Sequence, residues 1–452
     1  MNQSGQSQLA LCILVTSSPL HFPVHLSFKE KVLCFLIVSG TTLRFLLPFW
    51  RNPLESLTSD PLRHWNNAGK LFSPTLMGGS DPIVYQAFLW MIRTAIQDSH
   101  LAFACLAGVL SATMPWFYFR AAREFGSSRM ASLTIWAFIA VTPSLFVIFN
   151  YVMMETILLP LVGLALWASA YHLRKQSLQT FWISGGLWAL ACLTKPTILP
   201  LAAVCVLWTW WQTRRRVLAG LGLTAIAVVM ILPSTIRSAS VLGFYAPVGN
   251  PWITKIQHRS GANKIAIHFK DEHWNFVSPS CNMLPLAPLS PWRIRRGTED
   301  TRVVVYVEAD RGAETWKATF EQLPVTANDW LAQWGENIVL FLFAPSWPDC
   351  NMNQWDGWLA VASRWLWAPI IFFILDCNIR DFLKRRFDLL PVATTIFTLF
   401  LMFQNVATSE GRYRKPLEPL LIMNLVIALR PSIKGSRHSS EKSNSLNASN
   451  VI

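Results

Sequence analysis

Charge is what this chain has least of. Asp, Glu, Lys and Arg make up 14% of its 452 residues and 52% are hydrophobic, whereas a soluble domain is roughly a quarter charged. That balance, with a mean hydropathy of +0.33, excludes an ordinary water-soluble globule and points to a membrane protein. Acidic residues are scarcer than basic ones, 25 against 39, which gives a net charge of +14. The eight cysteines form no C-x-x-C pair and show no metal-ligand spacing, so most read as small core residues. No basic region precedes the apolar start "MNQSGQSQLALCILV", which runs into Ser17, Ser18 and Pro19. It reads as a poor signal peptide, and the first span is expected to target the chain. No repeat relates one half of the chain to the other, as is frequent in secondary transporters.

Long apolar runs, by contrast, are abundant. About 20 apolar residues cross a bilayer, and about ten candidate spans follow from this length: Val32 to Phe49, Leu101 to Phe119, Met130 to Phe149, Tyr151 to Tyr171, Phe181 to Leu193, Ile198 to Trp211, Val217 to Ile236, Leu359 to Leu375, Leu389 to Val406 and Leu417 to Leu429. The expected fold class is therefore an all-α polytopic membrane protein. Short loops rich in Lys and Arg mark the cytoplasmic side, and these are the loops at Arg120 to Arg129, Arg174 and Lys175, Arg214 to Arg216, and Arg380 to Arg386. Such collars face anionic leaflet lipids and account for most of the positive charge, so no nucleic-acid partner is called for. On the opposite side the short loops hold only Lys195 and the trio Arg412, Arg414 and Lys415. Those four cations break the positive-inside tendency, which implies that they are kept for a task.

Boundaries follow from the same pattern. Residues 1–30 are an N-terminal segment, and 31–236 an N-terminal transmembrane module with an external loop at 50–100. Residues 237–357 form a small mixed external cap, 358–430 the C-terminal helices, and 431–452 a polar cytoplasmic tail of disordered composition. In the first loop, "SDPLRHWNNAGKL" has Asp60 as a helix cap before Pro61. Leu62, Trp65, Ala68, Leu71 and Phe72 then make one apolar face, with Arg63, Asn66, Asn67 and Lys70 on the polar face of an interfacial helix. A second "SDP" at Ser80 to Pro82 opens another such helix. In the cap, "RVVVYVEAD" is strand-like and "AETWKATFEQL" helix-like. Cys281 and Cys350 share this oxidising segment, where a bridge between them is an open alternative. "HFKDEH", His268 to His273, is the sort of cluster that cap loops accumulate without binding a metal, and neither a metal nor another cofactor is expected.

Several separated stretches resemble one family. "SDPLRHWNNAGKL" resembles the acidic loop after the first span of the polyprenyl-phosphate-dependent glycosyltransferases with the GT-C fold, a group that includes protein O-mannosyltransferases and aminoarabinose transferases. "DPIVYQAFLWMI" resembles the start of their second interfacial helix, and "NYVMMETILLPLVGLALWA" a span with an acidic residue near its outer end. "GGLWALACLTKPTILPL" is similar to their "LTK" turn, and "SEGRYRKPLEPLLIM" to the "RY" motif before a late span. The resemblance implies inverting transfer of a sugar from a polyprenyl-phosphate donor to an acceptor hydroxyl on the non-cytoplasmic face. The acceptor, be it glycan, lipid or protein, is left open. Pro61 stands where the family has a second adjacent carboxylate, and Asp81 where the aminoarabinose transferases have Lys, which argues against a lipid A acceptor.

Such a reaction needs a base at the acceptor hydroxyl and cations at the leaving phosphate. Asp60 is the candidate base, with helix capping as its structural alternative. Arg63, one turn on, could grip phosphate oxygens or snorkel to the interface, and His64 is a polar-face residue or a substrate contact. Glu155, in the first turn of a span, is an intramembrane carboxylate with a candidate role in holding the active-site loop or binding acceptor. Lys195 sits in a turn too short to be a solvated loop, so its ammonium must find an anion or reach water at the surface. Arg412, Tyr413 and Arg414 are expected at the lipid phosphate, with Glu410 fixing one of them. A transporter or flippase of a lipid-linked sugar is the alternative, since it too needs outward cations. Localisation is expected in a plasma membrane of bacterial type, with the site facing outward.

Overall fold

The computed structural model describes residues 27–57, 59–68, 82–242, 264–268, 270–271, 273–277, 303–307, 318–322, 331, 335, 338, 341–342, 354–403 and 411–429. Asp81, Cys281, Cys350, Glu410, most of the N-terminal segment and the polar tail lie outside these residues, as do the side chains of Asp60, Arg412 and His273.

The chain is mostly helical, and each apolar run of the sequence forms a helix. The first helices are α1 (Phe28–Trp50), α2 (Ser59–Ala68), α3 (Ile83–Ile96) and α4 (His100–Glu124), followed by α5 (Arg129–Val141), the short α6 (Pro143–Phe146) and α7 (Glu155–Lys175). Then come α8 (Leu178–Thr194), α9 (Leu199–Gln212), α10 (Arg216–Leu242), α11 (Gln354–Leu383), α12 (Leu389–Phe403) and α13 (Glu418–Ala428). Serine side chains start many of them. Ser27 caps α1 in a reciprocal box with Glu30, and Ser99, Ser128 and Ser177 cap α4, α5 and α8. Four of these helices, α1, α4, α7 and α10, are long and apolar enough to cross a membrane. A fifth candidate is the run expected at Met130 to Phe149, which is broken: α5 and the segment Pro143–Asn150 meet at a bend of 70°. Pro143 is the local cause, since it has no N–H to continue the ladder of α5.

Helix α7 is the axis of the core. Its Leu158, Leu159, Val162 and Leu166 are fully buried among Phe149, Trp188, Ile371, Phe397 and Leu420 from other helices. Glycine lets α1 approach its neighbours: a Cβ on Gly108 of α4 would lie 2.5 Å from the Phe45 carbonyl oxygen of α1, and one on Gly40 would lie 3.0 Å from Ala140 of α5. Ion pairs tie the arginine-rich ends together, Arg129 to Glu30 at 3.7 Å and Arg174 to Glu124 at 3.0 Å.

Between α10 and α11 the described residues form a four-stranded mixed sheet of β1 (Lys264–His268), β2 (His273–Val277), β3 (Val303–Val307) and β4 (Ala318–Gln322), in the order β2-β1-β3-β4. Strand β3 is the expected "RVVVYVEAD" strand, but "AETWKATFEQL" departs from its helical expectation. Its second half is β4, pairing antiparallel with β3 from Val303↔Gln322 to Val307↔Ala318. Thr319 and Phe320 favour strand, and the available β3 edge decides between the two periods.

Candidate active site

The loop after α1 folds back onto the helical bundle. Helix α2 begins at Ser59, one residue before the expected cap, so Asp60 lies inside its first turn. Pro61 sits there too, where a missing N–H breaks no helical bond. The helix is also rotated from the expected amphipathic face. Leu62 is 42% exposed, while His64, Trp65, Asn67 and Ala68 are buried. The reason is tertiary: the His64 ring meets Tyr85 of α3 edge-on at 5.2 Å, and Trp65 meets Phe103 of α4 at 5.6 Å. His64, expected on the polar face or at the substrate, therefore packs inward, and Arg63 is half-buried beside it. Arg93 of α3 fixes the arrangement, since its guanidinium donates to the Trp65 carbonyl at 2.9 Å and lies 4.9 Å over the Trp65 ring. The same apolar cluster includes Val152 and Ile157, which flank Glu155. The loop between α1 and α3 thus packs directly on the start of α7.

Glu155 is the first residue of α7 and is fully buried. Its partner is Lys195, the capping residue between α8 and the turn Pro196–Ile198, whose ammonium lies 2.5 Å from Glu155 Oε1. Of the two outcomes expected for Lys195, an anion or surface water, the structure shows the anion, a carboxylate 40 residues earlier in the sequence. The ammonium also sits 4.7 Å from the centre of the Tyr413 ring, a cation–π contact. Three of the residues selected from sequence, Glu155, Lys195 and Tyr413, therefore meet at one point, drawn from three distant parts of the chain.

Tyr413 belongs to the turn Gly411–Arg414 that precedes α13. Arg412 lies in this turn as well. Arg414 points inward: it is fully buried, pairs with Glu418 at 3.3 Å and donates to the carbonyls of Phe341 and Leu342. Lys415 is 2% exposed on its side chain, lies 3.9 Å from Glu418 and donates to the Ser144 carbonyl. Ser144 Oγ in turn donates to Glu418 Oε2 at 2.7 Å. The bend between α5 and α6 is thereby clamped to the start of α13. Burial pushes the Lys415 pKa down to about 8, against the opposing pull of Glu418, and Lys415 also feels the charges of Glu155 and Arg44. These three ion pairs form one electrostatic cluster, which among the described residues brings the cations Lys195, Arg414 and Lys415 to the carboxylates of Glu155 and Glu418.

Arg44 carries a signal that reading for loops overlooked. It is the lone charge in the run Val32 to Phe49, and an ionisable residue inside a span is a candidate functional or organising residue. Its fully buried guanidinium donates to the carbonyls of Ile139, Ala140 and Leu145 and to Ser111, at 2.7 to 3.3 Å. Those are the carbonyls left over where α5 stops and α6 turns away, so Arg44 caps the bend that delivers Ser144. Outside this cluster, the His268 ring lies 5.3 Å from that of Tyr306 across β1 and β3, tilted by 58°.

Residues 80–236 match the family model described as dolichyl-phosphate-mannose-protein mannosyltransferase. The matched region runs from the start of α3 into α10 and contains both Glu155 and Lys195. Three of the five stretches behind the resemblance lie in this matched region, while "SDPLRHWNNAGKL" and "SEGRYRKPLEPLLIM" lie outside it. No curated protein matches the chain.

Proposed function

We propose that the protein is an integral-membrane glycosyltransferase of GT-C type that moves a sugar from a polyprenyl phosphate to an acceptor hydroxyl with inversion. The observation that carries this reading is the buried, cation-rich cluster at the start of α7. There the family-matched Glu155 and Lys195 meet Tyr413 of the "RY" turn, beneath the loop that holds Asp60. In this reading all ten apolar runs cross the membrane, the segment 237–357 caps its outer face, and the cluster faces away from the cytoplasm in a plasma membrane of bacterial type.

The chemistry assigns a role to each group. The acceptor oxygen attacks the anomeric carbon, its proton passes to the Asp60 carboxylate, and the bond from that carbon to the phosphate oxygen breaks. The electron pair leaves on the polyprenyl phosphate. Lys195, Arg412 and the excess positive charge of Arg414 and Lys415 stabilise that leaving anion. Arg63 supports the phosphate from α2, Tyr413 orients the Lys195 ammonium, His64 holds α2 against α3, and Glu155 sets the position of Lys195.

The donor named by the matched family, dolichyl-phosphate mannose, is the first to test, with protein hydroxyls as first acceptors. Asp60→Asn is expected to abolish single-turnover transfer from this donor while leaving donor binding and thermal unfolding near wild type. A general base contributes about 10² to 10⁴ in rate. Normal turnover in Asp60→Asn with loss in Asp81→Asn would move the base to the second "SDP". Release of free carrier coupled to sugar transfer separates this reading from a transporter, which would move the donor intact.

A further inference from the structure

Among the described residues, the buried asparagines other than Asn150 are engaged through their side chains. Asn52 donates to the His100 carbonyl at 2.7 Å and accepts from Leu54 N–H at 3.0 Å, Asn424 donates to Thr394 Oγ1 at 2.7 Å, and Asn378 donates to Thr395 Oγ1 at 2.9 Å. Asn150 does none of this. It is 3% exposed, yet both its Oδ1 and its Nδ2 are without a hydrogen-bond partner. Its backbone closes the turn Val147–Asn150, where Asn ordinarily bonds nearby backbone groups. Here the turn is closed by the Tyr151 N–H on the Ile148 carbonyl instead. Local structure does not need this amide, and a buried donor and acceptor left unmet are destabilising.

The position of the turn says what the amide serves. It contacts Pro53–Ser56, the start of the loop that carries α2, as well as α6, which holds Ser144, and α7, which begins at Glu155. The turn that ends at Asn150 therefore touches both the loop of the proposed base and elements that build the cationic cluster. A neutral amide offers both N–H donors and an accepting carbonyl oxygen, which suits a hydroxyl or a neighbouring pair of hydroxyls. A phosphate has only acceptor oxygens and is served better by the cations next door. We propose that Asn150 holds sugar hydroxyls of the bound donor. This rests on the glycosyltransferase reading and adds to it a contact with the sugar that is separate from the phosphate site.

The test compares dolichyl-phosphate mannose with dolichyl phosphate that carries no sugar, by displacement binding to the full-length protein in nanodiscs, with thermal unfolding measured alongside. Asn150→Leu, close in volume and fully apolar, is expected to weaken the sugar-bearing lipid about tenfold, as lost hydrogen bonds would, and to leave the sugarless lipid unchanged. Its unfolding temperature should equal or exceed wild type, since an unmet polar group has been removed. Asn150→Ala repeats the comparison if the leucine variant fails to fold. Wild-type preference for the sugar-bearing lipid in the variants overturns the proposal. If stability also falls, the amide belongs to an internal hydrated site with a structural role. A wild-type protein that binds neither lipid refutes the glycosyltransferase reading first, and this contact with it.

Discussion

Replacing Lys195 with methionine isolates the contact on which the proposed site depends. The Lys195 side chain is 5% exposed and that of Glu155 is 0%, and their charged atoms lie 2.5 Å apart. Removing one member of such a pair leaves the other charge buried and uncompensated, which typically costs about 3–5 kcal/mol. Because α7 and the α8–α9 turn are joined through this contact, the loss should appear in global thermal unfolding of the protein in detergent or nanodiscs. The double variant Glu155→Gln with Lys195→Met carries no orphan charge and should recover most of that stability. Transfer should fail in both, because the ammonium beside Tyr413 is absent in each. Two results refute the reasoning. Unfolding of Lys195→Met at the wild-type temperature would mean that the pair does not hold these helices together, and wild-type transfer by the double variant would make the pair scaffolding and remove Lys195 from the phosphate site.

Two further measurements address the turn before α13. Arg412→Lys keeps the charge and loses the planar two-point grip, so donor binding should fall, and Arg412→Gln should fall further. Each lost charge-assisted bond is worth roughly 10- to 100-fold, and wild-type binding by both variants would assign the turn to lipid headgroups alone. Lys415, with its pKa lowered to about 8 from 10.5, gives opposite pH trends in two assays. As pH rises through about 8 the folded protein loses this positive charge, so donor affinity should drop. Between there and the ordinary lysine value the unfolded chain binds more protons than the folded one, so stability should rise. Lys415→Met should flatten both curves.

The helices were legible because apolar length is a local property, and so was the need of Lys195 for an anion or a route to water, since its turn is too short to be a solvated loop. The identity of that anion was not. It depends on which helices pack side by side, and neither α7 nor α8 announces its neighbour in its own residues. Helix α2 shows the same limit in miniature. Counting apolar side chains put Leu62, Trp65 and Ala68 on one face; Trp65 and Ala68 are buried, but Leu62 is exposed and His64 packs inward against Tyr85. Arg44 was visible in principle as a single charge in an apolar run, yet its role requires knowing that α5 ends 96 residues later beside it.

One constraint on the cluster was nonetheless present in the sequence as arithmetic of sign. The "SEGRYRKPLEP" stretch and the "LTK" turn together bring more cations than the nearby acids can neutralise. Among the described residues Lys195 pairs with Glu155, and Arg414 and Lys415 both lie against Glu418. Burying ammonium and guanidinium groups in excess of carboxylates is unfavourable. The lowered pKa of Lys415 is one expression of that cost. A monoanionic or dianionic phosphate placed beside them would relieve it, so the same charge imbalance that strains the resting protein would supply the preference for an anionic ligand. Arg412, placed one residue before Tyr413, is the remaining cation of this turn. Its neutralisation should therefore lower donor affinity without the stability loss expected at Lys195.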